Sequence, residues 1–182
     1  PSTTSWNSIP KVLHKDNPTM ALTPAPDTVT RTMELVRSGG QWTINGQTWA
    51  DVEQSGFLAS LANPAQDAVE VWDIRNDSGG WHHPLHIHLV DFRVLDREID
   101  RNGVRLAPRA HELGPKDVVH VGENERVRVI ARYGPSAGRY MVHCHNLVHE
   151  DHDMMGQFTV GDGGYDPMST DPSRSFATAP EL

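Results

Sequence analysis

Residues 141–155 read MVHCHNLVHEDHDMM, which puts four histidines and the only cysteine of the 182-residue chain into fifteen positions. Core packing has no need of so many imidazoles around one thiol. The order His143-Cys144-His145 also constrains the backbone. In an extended strand, successive side chains point to opposite faces. His143 and His145 then share one face and Cys144 takes the other, so one strand serves two sites. A single cysteine excludes an internal disulfide and leaves the redox compartment unread.

The surrounding sequence favours strands. TRTMELV (30–36), AVEVWDIRN (68–76), HIHLVDFRVLD (86–96), DVVHV (117–121), RVRVIARY (126–133), GRYMVHCH (138–145) and MGQFTV (155–160) are short runs rich in β-branched residues, separated by Gly and Pro. QWTINGQTW (41–49) sets Asn45-Gly46 between two short runs, a hairpin signal because both turn positions need positive φ. FLASLA (57–62) is ambiguous, a short helical turn being one reading, and no long helix is evident. The expectation is an all-β, Greek-key β-sandwich or barrel over residues 31–160. Residues 1–30, with Pro1, Pro10, Pro18, Pro24 and Pro26, read as an irregular arm or interdomain linker, and 161–182 as a polar tail. Net charge is -8 without a basic run, which argues against a nucleic-acid or anionic-membrane partner. No stretch approaches the roughly 20 apolar residues of a membrane-spanning helix.

The chemistry follows from the spacing. His149 lies five residues after Cys144, and Met154 five after His149. A loop folding back there brings thiolate, imidazole and thioether to one ion, the donor set of a blue-copper electron-transfer centre. That set needs a second imidazole, and WHHPLHIH (81–88) supplies it. His86 and His88 share one strand face. His83 has the opposite parity, and Pro84 holds it extended. His83 therefore joins Cys144, His149 and Met154, while His86 and His88 join His143 and His145 in a four-histidine half-site. A lone His-x-His pair is more often incidental, and a lone buried cysteine usually only packs. Zinc is the commoner partner of mixed Cys and His ligands, but it has little use for the thioether, so copper is the expected metal.

HPLHIH and HCHNLVHEDHDMM resemble the two C-terminal copper motifs of multicopper oxidases, in particular the group of bilirubin oxidase, spore-coat laccase and phenoxazinone synthase. GPKDVVHVGENERVRVIARYGPSAGRYMVHCH is similar to the last cupredoxin domain of the bacterial members, and the likeness runs from about Arg31 to Val160. The resemblance implies a cupredoxin-like fold. It implies type 1 copper on His83, Cys144, His149 and Met154, type 2 copper on His86, and the type 3 pair on His88, His143 and His145. The implied reaction moves electrons from a phenolic or other aromatic reductant through type 1 copper to a trinuclear site that reduces O2 to water. It further implies a proton-relay role for Glu150, a substrate-side place for Trp81, and an extracytoplasmic or secreted setting.

A trinuclear site in this family uses eight histidines, four from each of two domains, and this chain offers four. His14, His82, His111, His120 and His152 form no further His-x-His pair. The expected whole is thus a C-terminal domain completed by an N-terminal cupredoxin domain, in the same precursor or as a separate chain, and inactive toward O2 by itself. Two alternatives stand beside this. A stand-alone type 1 electron carrier would have no use for four extra histidines. A cuprous-ion oxidase domain would favour a methionine-rich stretch, which the six methionines here do not form.

Overall fold

A computed structural model describes residues 16–163. The expected arm as far as residue 15, with His14, and the tail from residue 164 lie outside the described residues. The nine described strands form two sheets. The larger sheet contains β1 (Val29–Ser38), β2 (Gln41–Ile44), β3 (Ala68–Asn76), β5 (Phe92–Glu98) and β7 (Arg126–Tyr133) in the order β2-β1-β3-β7-β5. The smaller contains β4 (His83–Ile87), β6 (Val118–Val121), β8 (Gly138–Cys144) and β9 (Met155–Val160) in the order β6-β4-β8-β9. Pairing is antiparallel except between β1 and β3. Two short helices, α1 (Trp49–Gln54) and α2 (Leu147–Glu150), sit in connections.

Alternation builds the core. In β7, Val127 and Val129 are buried, while Arg126 and Arg128 pair with Asp73 and Asp96 of the flanking strands. Leu85 and Ile87 of β4, Val142 of β8, and Phe158 and Val160 of β9 meet Met33, Leu35, Trp72 and Ile74 of the larger sheet in one apolar cluster. β3 is central, so its run 70–74 is buried on both faces and the polar Glu70 lies inside with it. Arg31 compensates this carboxylate with hydrogen bonds of 2.6 and 2.7 Å. Arg97, 1% exposed, is held in the same way by Glu112 and Glu125.

Three local expectations change. HIHLVDFRVLD is not one strand: Leu89 takes φ +73°, the run breaks there, and its halves β4 and β5 belong to different sheets. QWTINGQTW keeps its turn, with φ +50° at Asn45 and +76° at Gly46, but its second arm ends after one bridge, Ile44 to Gln47. Thr48 and Asp51 cap each other's backbone N–H groups and start α1 instead. FLASLA is irregular rather than helical. Its backbone runs along β9, with Leu61 N–H donating to the Gln157 carbonyl (2.7 Å) and Thr159 N–H to the Ala62 carbonyl (2.9 Å), which covers a sheet edge. Near the expected arm, β1 begins at Val29, and Arg93 Nη1 donates to the Met20 and Leu22 carbonyls.

Candidate metal centre

The end of β8 and the loop after it build the first site. Asn146 caps α2 by accepting from the Val148 N–H (3.2 Å), and α2 turns the chain back. Met154 N–H then donates to the His149 carbonyl (3.0 Å), and Cys144 N–H to the Met154 carbonyl (3.1 Å). This short return brings the backbones of Cys144, His149 and Met154 together, and all three residues are fully buried. His83 arrives from β4, whose Leu85 pairs with Cys144. Cys144 Sγ lies 3.4 Å from His83 Nδ1 and 3.5 Å from His149 Nδ1, and the two nitrogens are 3.1 Å apart. Donors around one ion at about 2.0–2.3 Å are expected roughly 3.3–3.6 Å apart.

The hydrogen bonds around this triangle orient the donors. His83 Nε2–H donates to Ser78 Oγ (2.8 Å), whose hydroxyl donates to Asn76 Oδ1 (2.5 Å), so the His83 Nδ1 lone pair faces the thiol. Asn76 Nδ2 in turn donates to the Trp81 and Gly122 carbonyls (2.7 and 2.9 Å), tying the loop before β4 to the end of β6. The Asn146 N–H points at Cys144 Sγ (3.4 Å). Burial pushes the Cys144 thiol up to about 11, against that N–H. Burial, followed by His149, His82 and His120, pushes His83 down to about 3. Burial thus favours the neutral forms of the thiol and of both imidazoles. One thiol proton can serve only one of the two nitrogens facing it, whereas one cation takes the lone pairs of all three groups. Thiolate, two imidazoles and a buried thioether fit copper.

On the other face, His86, His88 and His143 bring donor atoms within 4.8 Å of one another. His86 Nδ1–H donates to the Asp117 carbonyl (2.8 Å), which frees Nε2. His88 Nε2 and His143 Nε2 are 3.2 Å apart. His145 is more exposed and stands at the rim, its ring centroid 5.1 Å from that of His143 and 5.7 Å from that of His86. Glu150 reaches this side: Oε1 is 3.4 Å from His143 Nδ1, and its buried Oε2 has no hydrogen-bond partner. Burial lowers His88 and His143, with Glu150 partly opposing this at both. Alternation along β4 and β8 therefore gives two donor groups on opposite faces.

A family model described as multicopper oxidase matches residues 22–164. The chain belongs to the multicopper oxidase family. It is 48% identical to the bilirubin oxidase of Albifimbria verrucaria over 138 residues, which are 75% of this chain and 23% of that protein. It is 40% identical to a laccase of Bacillus subtilis over 131 residues, 65% of this chain and 24% of that one. Among solved structures, the McoA multicopper oxidase of Aquifex aeolicus matches with TM-score 0.63 at 31% identity, covering 76% of this chain and 31% of that one. A Pediococcus acidilactici laccase matches with TM-score 0.66 at 30% identity, covering 78% and 29%. The chain thus spans about a quarter of the length of the curated relatives. The two sheets are the cupredoxin-like fold of this family, whose metal is copper.

Seen as a multicopper oxidase domain, the site has parts that its motifs did not reveal. Ser78 and Asn76 lie in the plain turn sequence N-D-S-G-G and carry no ligand signature. Trp42, 5% exposed, stacks on His149 with centroids 4.0 Å apart and planes at 31°. Its only signal was an aromatic in a hairpin arm. Trp81, which the resemblance singles out, is 41% exposed and meets Trp42 and His149 edge-on at 5.2 and 5.4 Å, and Arg37 lies over both indoles. His149 Nε2, under these rings, is buried with no hydrogen-bond partner. His111 and His152 are exposed and outside both donor groups.

Proposed function

We propose that this chain is the C-terminal copper domain of a laccase-like oxidase, holding type 1 copper on His83, Cys144, His149 and Met154 and supplying half of a trinuclear site. His86 is assigned to type 2 copper, and His88, His143 and His145 to the type 3 pair. The observation that carries this reading is the opposite facing of the two donor groups on β4 and β8: a sulfur-containing triangle on one side, histidines alone on the other. When bound, copper supplies one-electron oxidation of an aromatic or phenolic reductant at the first site and four-electron reduction of O2 to water at the second.

The chain's own residues divide the work. Trp81 and Trp42 form the path by which a reductant approaches His149, with Trp81 the exposed member. Cys144 is covalently continuous with His143 and His145, so a few bonds of one strand join the two sites. Burial of Cys144 and His83 excludes water from the sulfur side. Glu150, with Oε1 3.4 Å from His143 Nδ1 and Oε2 4.0 Å from His145 Nδ1, is placed to hold and release protons on the histidine side. The remaining histidines come from an N-terminal cupredoxin domain, in the same precursor or as a separate chain. The four histidines of the second face favour this over a stand-alone type 1 carrier.

The test is to load the purified chain with copper and record visible absorption together with O2 uptake on a phenolic substrate. A thiolate-to-copper band without steady O2 uptake is expected, and uptake should appear when an N-terminal cupredoxin domain with two His-x-His pairs is added. Steady O2 reduction by the chain alone would overturn the half-site assignment. Absence of the band would overturn the type 1 assignment.

A further inference from the structure

Away from both donor groups, one more pair of histidines stands close enough to share an ion. His82 stands one residue before β4, and His120 pairs with Pro84 from the neighbouring β6. His82 and Pro84 have the same parity, so His82 and His120 are diagonal neighbours on one face of the ladder, opposite the face that buries His83. Both are exposed. Their ring centroids are 5.1 Å apart with planes at 31°. Two imidazoles bound tetrahedrally to one ion at about 2.0–2.1 Å place their centroids roughly 5 Å apart. Histidine pairs inside the two donor groups span 4.8 to 5.7 Å, and this pair falls within that range.

The backbone beneath the pair is held from both sides. Asn76 Nδ2 donates to the Trp81 carbonyl next to His82 (2.7 Å), and Arg97 Nη2 donates to the His120 carbonyl (2.7 Å). The Arg97 charge is answered by Glu112 and Glu125, and Glu125 also binds Arg109, so the cations near His120 are paired. A chain of net charge -8 tolerates one more cation. The backbone needs no further ordering when a metal arrives, so only the two exposed side chains remain to be fixed.

We propose that His82 and His120 form an additional, exchangeable surface site for a borderline divalent cation, Zn2+ or Cu2+, with water in the remaining positions. Imidazole donors select these ions over Mg2+ or Ca2+. The site faces away from the sulfur centre although His82 is the covalent neighbour of His83.

The test titrates the copper-loaded chain, freed of excess copper, with Zn2+ by calorimetry. It compares wild type with His82→Asn, His120→Asn, the double variant, and His152→Asn as an exposed-histidine control. Wild type and His152→Asn should each take up one zinc equivalent more than the three site variants. In NMR spectra of the wild type, Zn2+ should shift the ring resonances of both His82 and His120. Retention of the extra equivalent by either single variant would overturn the proposal, as would loss of it in His152→Asn or no zinc uptake by wild type. The thiolate-to-copper band of each variant reports that it is folded, so a failed fold is not mistaken for a lost site.

Discussion

Ser78→Ala removes the hydroxyl that orients His83 while leaving every donor atom in place. His83 is fully buried, and its Nε2–H has Ser78 Oγ as partner at 2.8 Å. Asn76 Oδ1 loses one donor but keeps the Ser78 backbone N–H at 3.0 Å. The substitution therefore orphans one buried N–H, at a cost of about 1–3 kcal/mol. Part of this falls on folding, because the ring is buried with or without metal. The rest falls on metal affinity, because the Nε2–H bond strengthens once Nδ1 shares its lone pair with a cation. Groups in this position are worth about 10–100-fold in affinity, which converts to about 1.4–2.7 kcal/mol and agrees with the orphaned-donor figure. The assay is copper competition against a chelator of known affinity, followed by the thiolate-to-copper band, with urea unfolding of the metal-free chain alongside. Weaker copper binding with the band retained is expected, and Ser78→Thr should recover most of it. Unchanged affinity in Ser78→Ala, with unchanged unfolding, would refute the claim that this hydrogen bond orients His83.

Cys144→Ser should abolish the visible band while leaving copper uptake by the histidine face, read as nitrogen-coupled Cu2+ signals in paramagnetic resonance. In the proposed oxidase, assembled with the proposed partner domain, Glu150→Gln should slow O2 reduction by about 10²–10⁴-fold and change its pH profile, while one-electron reduction of the proposed type 1 centre stays fast. Arg97→Met leaves the buried carboxylates of Glu112 and Glu125 without their shared cation and should cost about 3–5 kcal/mol in denaturant unfolding. Burial alone would raise the Glu112 carboxyl, but hydrogen bonds from Arg97 and the Arg109 N–H hold it below its ordinary value. Its stabilisation is therefore complete above that value and is lost as pH falls through the lower native one. The stability gap between wild type and Glu112→Gln should be constant from pH 7 to about pH 5 and shrink below about pH 4, as followed by urea midpoints.

The strands were legible wherever one stretch of sequence carried its own alternation, as in AVEVWDIRN, RVRVIARY and MGQFTV, which match β3, β7 and β9 residue for residue. The division of donors between two faces was legible for the same reason: parity along a strand is a local property, and residues 83, 86, 88 and 143–145 carry it in their numbering. The break at Leu89, the start of α1 at Thr48 and the edge role of 57–62 depend on left-handed backbone, a reciprocal cap and a neighbouring strand, none of which hydrophobic pattern records. Ser78 and Asn76, the Trp42 ring on His149, and the pairing of His82 with His120 likewise needed the fold. Each joins residues whose chemistry is ordinary on its own strand or loop and becomes specific only when hydrogen bonding between distant strands sets the distance. The sequence alone thus determined which residues carry metal-binding atoms and which of them alternate along a strand. Tertiary structure decided which of them meet and what holds them, because register and loop closure are properties of paired segments rather than of either segment.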